Sequence, residues 1–250
     1  MSIQVVLVHG IRTSRTMWRS QLEHLAERDI SAVAVDLPGH GSRMAEPFTI
    51  DGAFATVHEA VQDAAARGPV LLVGHSMGGL VSVAYAGSEA APPIAGFIGA
   101  SCTAFPRGAA LATYRTFART FNALPDQGMW LTNRVLAATL PDDTRPDFGA
   151  GGYALDAQDI ALASLGALDL AADLQRLHMP LWWINGQFDQ LRMQERLFQR
   201  LTPQSELIVV PRTSHLVTAM RPRVFNALLD LAVATLQHQA TRSPGAQRSS

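Results

Sequence analysis

The chain has 250 residues, 48% of them apolar and 16% charged, which suits a single α/β domain with a sizeable buried core. A formal net charge of -1 leaves no basic stripe to neutralise phosphates, so nucleic acid is excluded as an expected partner. No apolar run approaches the roughly 20 residues of a spanning helix, no leader pattern precedes the first strand, and Cys102 has no second cysteine to pair with. A cytoplasmic protein without membrane association is therefore expected.

In chain order, Ile3 to Val8 is apolar and β-branched and stops at His9-Gly10, the pattern of a buried strand. Trp18 to Arg28 has helical spacing, with Leu22, Leu25 and Ala26 on one face. Ser31 to Val35 reads as a second strand, closed by the breaker-rich loop Asp36-Leu37-Pro38-Gly39-His40-Gly41. A helix is predicted over Thr49 to Ala66, a strand over Val70 to Val73, a helix through Leu80 to Ala86 and a strand over Ile94 to Ala100. Such alternation belongs to a mostly parallel sheet with helices on both faces, whose functional groups gather at the carboxyl ends of the strands.

The alternation lapses between about Thr103 and Leu177, where helices are predicted over Ala109 to Phe121, Met129 to Leu140 and Leu155 to Leu174. It returns with the strand Leu181 to Ile184, a helix from about Arg192 to Leu201, the strand Glu206 to Val210 and a helix from about Pro222 to Gln237. The expected organisation is an α/β core from 1–103 and 178–237, an inserted helical cap over 104–177, and a polar, disordered tail over 238–250.

The chemistry concentrates at Gly74-His75-Ser76-Met77-Gly78, where a strand ends in a turn and a helix begins. Glycines two positions either side of Ser76 permit a turn too tight for side chains there, and push the serine oxygen into the open. This motif does not stand alone. His9-Gly10 follows the first strand, Asp36 to Gly41 the second, Gly186-Gln187-Phe188-Asp189 the fifth, and Ser214-His215 the sixth. With these five motifs in order, the chain from Ile3 to Gln237 resembles the α/β-hydrolase superfamily.

The resemblance implies that Ser76 is a nucleophile, His215 its general base and Asp189 the acid that orients the base, because a serine hydroxyl needs both partners to react at neutral pH. Some members of the superfamily carry the acid after the strand that follows the nucleophile; here that position holds Ser101 and Cys102. His215 departs from the family's usual Gly-His pair in having Ser214 before it. The backbone N-H groups of Ile11 and Met77 are the implied oxyanion hole. His9, His40 and His75 are implied to support their loops.

A pocket lined by Phe105, Tyr114, Phe117, Phe121, Met129 and Trp130 of the cap, by Trp18, which follows the His9-Gly10 loop closely in the chain, and by Arg12 would suit an apolar acyl or alcohol group, although the same spacing of aromatic residues also suits packing of cap helices onto the core. All 20 basic residues are arginine, so lysine-based covalent chemistry is excluded. No metal or nucleotide motif is present, so no cofactor is expected. The expected activity is hydrolysis of a small carboxylic ester. A thioesterase, a lactonase or lyase with the same three residues, and a non-catalytic ligand-binding member of the fold remain open.

Overall fold

Six short apolar runs form one parallel sheet in the order β2-β1-β3-β4-β5-β6. They are β1 (Gln4–Val8), β2 (Ala32–Val35), β3 (Val70–His75), β4 (Gly96–Ala100), β5 (Leu181–Gly186) and β6 (Ser205–Val210). The computed structural model describes residues 2–88, 94–108, 111, 116, 120 and 123–242. Every residue of β1, β3, β4 and β5 is buried, as expected where helices cover both faces of a parallel sheet.

The period of two along the strands sorts side chains into two cores. Val6, Val8, Val70 and Leu72 point to one face, where they meet Val57 and Val61 of α2 (Ile50–Ala65) and Val81 and Val83 of α3 (Met77–Ala86). Val5, Leu7, Leu71 and Val73 point to the other, against Leu25 of α1 (Arg19–Ala26) and Phe225, Leu229 and Val233 of α10 (Pro222–Arg242). The entry to α2 is fixed locally, since the Thr49 hydroxyl oxygen accepts the Gly52 N-H at 3.0 Å.

Strands β1 and β3 are neighbours in register, Val8 beside Gly74, yet α1 and α3 leave them toward opposite faces. That divergence opens a crevice above their carboxyl ends, the usual ligand position in a sheet of this type. Ser76 sits at its edge.

Between β4 and β5 lie α4 (Met129–Thr139), α5 (Asp147–Ala150), α6 (Ala157–Gly166) and α7 (Leu170–Gln175). The continuous helix expected from Leu155 to Leu174 is thus two helices. The Asp169 side chain accepts the Ala172 N-H and starts the second, ending any reason for the first to continue. The helix expected over Ala109 to Phe121 lies mostly outside the described residues. After β5 come α8 (Glu195–Leu201) and, after β6, α9 (Val217–Met220) and α10. The last helix continues through Arg242, so the polar tail does not begin at His238. Residues 243–250 lie outside the described residues.

Trp18 is fully buried, its ring 6.0 Å from that of Phe225 in the core under α1 and α10. It is a core residue and not a pocket residue. The helical spacing after β1 places it on the inward face, where α10 covers it.

Candidate active site

Four loops at the carboxyl end of the sheet deliver the polar groups. The loop after β3 is a single strained residue: Ser76 has φ 52° and ψ -118°, a conformation non-glycine residues rarely adopt. Its flanking glycines are sterically required. A Cβ on Gly74 would lie 2.6 Å from the Gly78 carbonyl oxygen, and one on Gly78 would lie 2.3 Å from that of His9.

His215, after β6, brings its Nε2 to 2.9 Å from Ser76 Oγ. Its Nδ1 lies 3.1 Å from Asp189 Oδ1, after β5. A carboxylate only accepts, so Nδ1 carries the proton and Nε2 offers its lone pair to the serine hydroxyl. Asp189 Oδ1 also accepts the Leu191 N-H at 2.8 Å. Burial opposes a charge on Asp189, but the hydrogen bond from His215 and that from Leu191 outweigh it and hold the carboxyl below its usual range.

The loop after β1 is held by His9. Its Nε2 accepts the Leu37 N-H at 3.0 Å, which leaves Nδ1 protonated to donate to the Gly10 carbonyl at 2.7 Å. The Thr13 hydroxyl donates to the same carbonyl at 3.0 Å. With the Gly10 oxygen tied down on one side, the trans peptide turns the Ile11 N-H to the other. Met77 opens α3, where first-turn N-H groups have no acceptor within the helix and the dipole favours negative charge.

Ile11 and Met77 line the same cavity as Ser76 and His215, a space of about 130 Å³. Among the described residues its other walls are Leu80, Cys102, Ala104, Phe105, Pro106, Leu111, Leu162, Leu165, Leu191 and Met193, with the polar Gln190. Most of these come from the stretch expected as a cap; of the aromatic residues singled out there, Phe105 is among them and Trp130 is not. Trp130 is 55% exposed on α4. Tyr114, Phe117 and Phe121 lie outside the described residues. Arg12 does not line the cavity; its guanidinium reaches Met129 Sδ at 4.0 Å. The aliphatic lining had no sequence signal of its own, since Leu162 and Leu165 look like any inward helix face.

Burial, with His40 nearby, pushes His9 down to about 4, and burial with His215 nearby pushes His75 down to about 3. Both start from 6.5, so in between the unfolded chain binds protons that the folded chain refuses. Their contribution to stability is whole above pH 6.5 and is lost as pH falls. Urea titrations should show a loss of about 2 kcal/mol between pH 6.5 and 5.5. An unchanged midpoint would contradict buried neutral rings at these positions.

Residues 5–228 match the model of the Alpha/beta hydrolase family. Among curated proteins, Lipase LipV of Mycobacterium tuberculosis is 40% identical over 81 residues, 32% of this chain and 30% of that protein. The (E)-2-((N-methylformamido)methylene)succinate hydrolase of Acinetobacter baylyi is 32% identical over 85 residues, 31% of this chain and 30% of that protein. The chain spans about a third of the length of the curated relatives it matches. Among solved structures, an esterase from Exiguobacterium antarcticum superposes with a TM-score of 0.78 at 18% identity, covering 93% of this chain and 92% of that one. Bromoperoxidase from Bacillus anthracis gives 0.76 at 20% identity, covering 94% and 92%. These likenesses are in fold.

Proposed function

Because the chain belongs to the alpha/beta hydrolase family, we propose that it is a serine hydrolase that cleaves small carboxylic esters through an acyl-enzyme on Ser76. The observation that carries this reading is the unbroken hydrogen-bond path from Ser76 through His215 to Asp189 at the wall of an apolar cavity.

Ser76 Oγ attacks the ester carbonyl while His215 Nε2 takes its proton, and Asp189 stabilises the imidazolium that forms. The N-H groups of Ile11 and Met77 receive the developing oxyanion. His215 returns the proton to the departing alcohol. A water molecule, deprotonated by the same nitrogen, then attacks the acyl-enzyme and releases the carboxylic acid and free Ser76. Leu80, Leu162, Leu165 and Phe105 favour an apolar acyl group, since a charged one would be desolvated among them.

A fluorophosphonate probe tests the reading directly. It should label the protein stoichiometrically, with the adduct on the peptide that contains Ser76. A protein that hydrolyses no p-nitrophenyl ester and resists the probe would refute a serine mechanism. Butyryl thioester turnover measured beside p-nitrophenyl butyrate will decide whether the leaving group is an alcohol or a thiol.

A further inference from the structure

The residue before the nucleophile has no part in the proton path, yet it is a fully buried histidine with an unusual set of contacts. His75 is 1% exposed, and its Nε2 lies 2.9 Å from the backbone oxygen of His215. A carbonyl only accepts, so Nε2 carries the proton. Nδ1 is then a lone-pair acceptor, and it is buried with no hydrogen-bond partner among the described residues. An unmet buried acceptor is disfavoured, and an aliphatic side chain of similar size would avoid it. The gain must lie in the bond made by the other nitrogen.

We propose that His75 is a positioning residue, whose Nε2-H holds the His215 backbone carbonyl and so sets the base at the right height above Ser76. It rests on the reading of Ser76 and His215 as nucleophile and base. The covalent geometry favours it: His75 ends β3 and is bonded directly to Ser76, so a tether from its ring measures the loop after β6 against the nucleophile itself. The His215 ring packs on the same side, its centroid 5.1 Å from that of His75. His215 and Ser76 are otherwise 139 residues apart and joined here by a single side-chain hydrogen bond.

The opposite edge of the ring faces a second loop. A Cβ on Gly10 would fall 2.7 Å from His75 Nδ1 and 3.3 Å from Ser76 Cβ. His75 is thus wedged between the peptide that precedes Ile11 and the one that carries His215. Burial, with His215 nearby, keeps the ring neutral down to about pH 3, so the tether persists over the working range of a hydrolase.

Three variants of the full chain separate a tether from a filler. The amide nitrogen of a glutamine extends about as far as imidazole Nε2 and can reach the carbonyl, whereas that of asparagine falls short and leucine has no donor. With p-nitrophenyl butyrate, His75→Gln should stay within about fivefold of the parent kcat, while His75→Asn and His75→Leu should lose about 30-fold or more. KM should stay within threefold throughout, and fluorophosphonate labelling should slow in step with kcat.

His75→Asn or His75→Leu within threefold of the parent would overturn the proposal, as would His75→Gln falling as far as His75→Asn. Loss of folding in all three, read by thermal melting, would assign the ring to packing and overturn it too. A parent that neither turns over the ester nor takes the probe would instead refute the serine reading, and this tether with it.

Discussion

Replacing Ser76 with alanine is expected to lower kcat/KM for p-nitrophenyl butyrate by about 10⁴-fold or more while leaving the protein folded. The hydroxyl is the atom that would bond to the acyl group. Among the described residues the other cavity-lining thiol or hydroxyl is Cys102, whose thiol burial pushes far above its ordinary range and so keeps it an inert thiol. Folding is spared because alanine keeps the backbone at Ser76 and removes one oxygen whose bond is to His215. The melting temperature should shift by no more than a few degrees, and the probe should no longer label. Retained turnover in Ser76→Ala would end the mechanism.

The second large effect is at Asp189, and here two substitutions should differ. Asp189→Ala removes both the charge that stabilises the imidazolium and the acceptor that fixes its tautomer, and about a 10³- to 10⁴-fold fall in kcat is expected. Asp189→Asn should fall less than Asp189→Ala. The reason is local. Oδ1 accepts both His215 Nδ1-H and the Leu191 N-H, and the backbone donor cannot change sign. An asparagine that satisfies Leu191 must put its oxygen at that place, which keeps the acceptor opposite Nδ1 and the lone pair on Nε2. Only the charge is lost. Equal kcat values for the two variants, with both folded, would show that Leu191 does not select the amide orientation.

The strands were legible because a parallel sheet buries both faces, leaving continuous runs such as Val70 to Val73 between breakers. Ser76, Asp189 and His215 were legible as well, since each follows a strand end in a recognisable motif and the structure brings all three together. The cavity was not. Trp18 looked like a pocket residue from its nearness to Gly10 in the chain, but the group that covers it, Phe225, lies in the last helix. An aromatic residue on a helix face gives no sign of whether a ligand or another helix will meet it. The break before Asp169 was hidden for a similar reason: an aspartate within an apolar helical pattern looks like a solvated position until its hydrogen bond to Ala172 is seen. His75 carried the implied role of loop support without a partner, and the carbonyl of His215 beside its ring supplies one.

The strand order has a consequence for the protein's synthesis. The proposed nucleophile emerges early in the chain, and its proposed base only with the loop after β6, the edge strand that pairs with β5. Until that last edge docks, the Ser76 hydroxyl lacks its bond to His215. On the proposed mechanism, a nascent or truncated chain ending before Ser205 lacks the base and should be silent toward acyl groups, with reactivity appearing only as the sheet is completed.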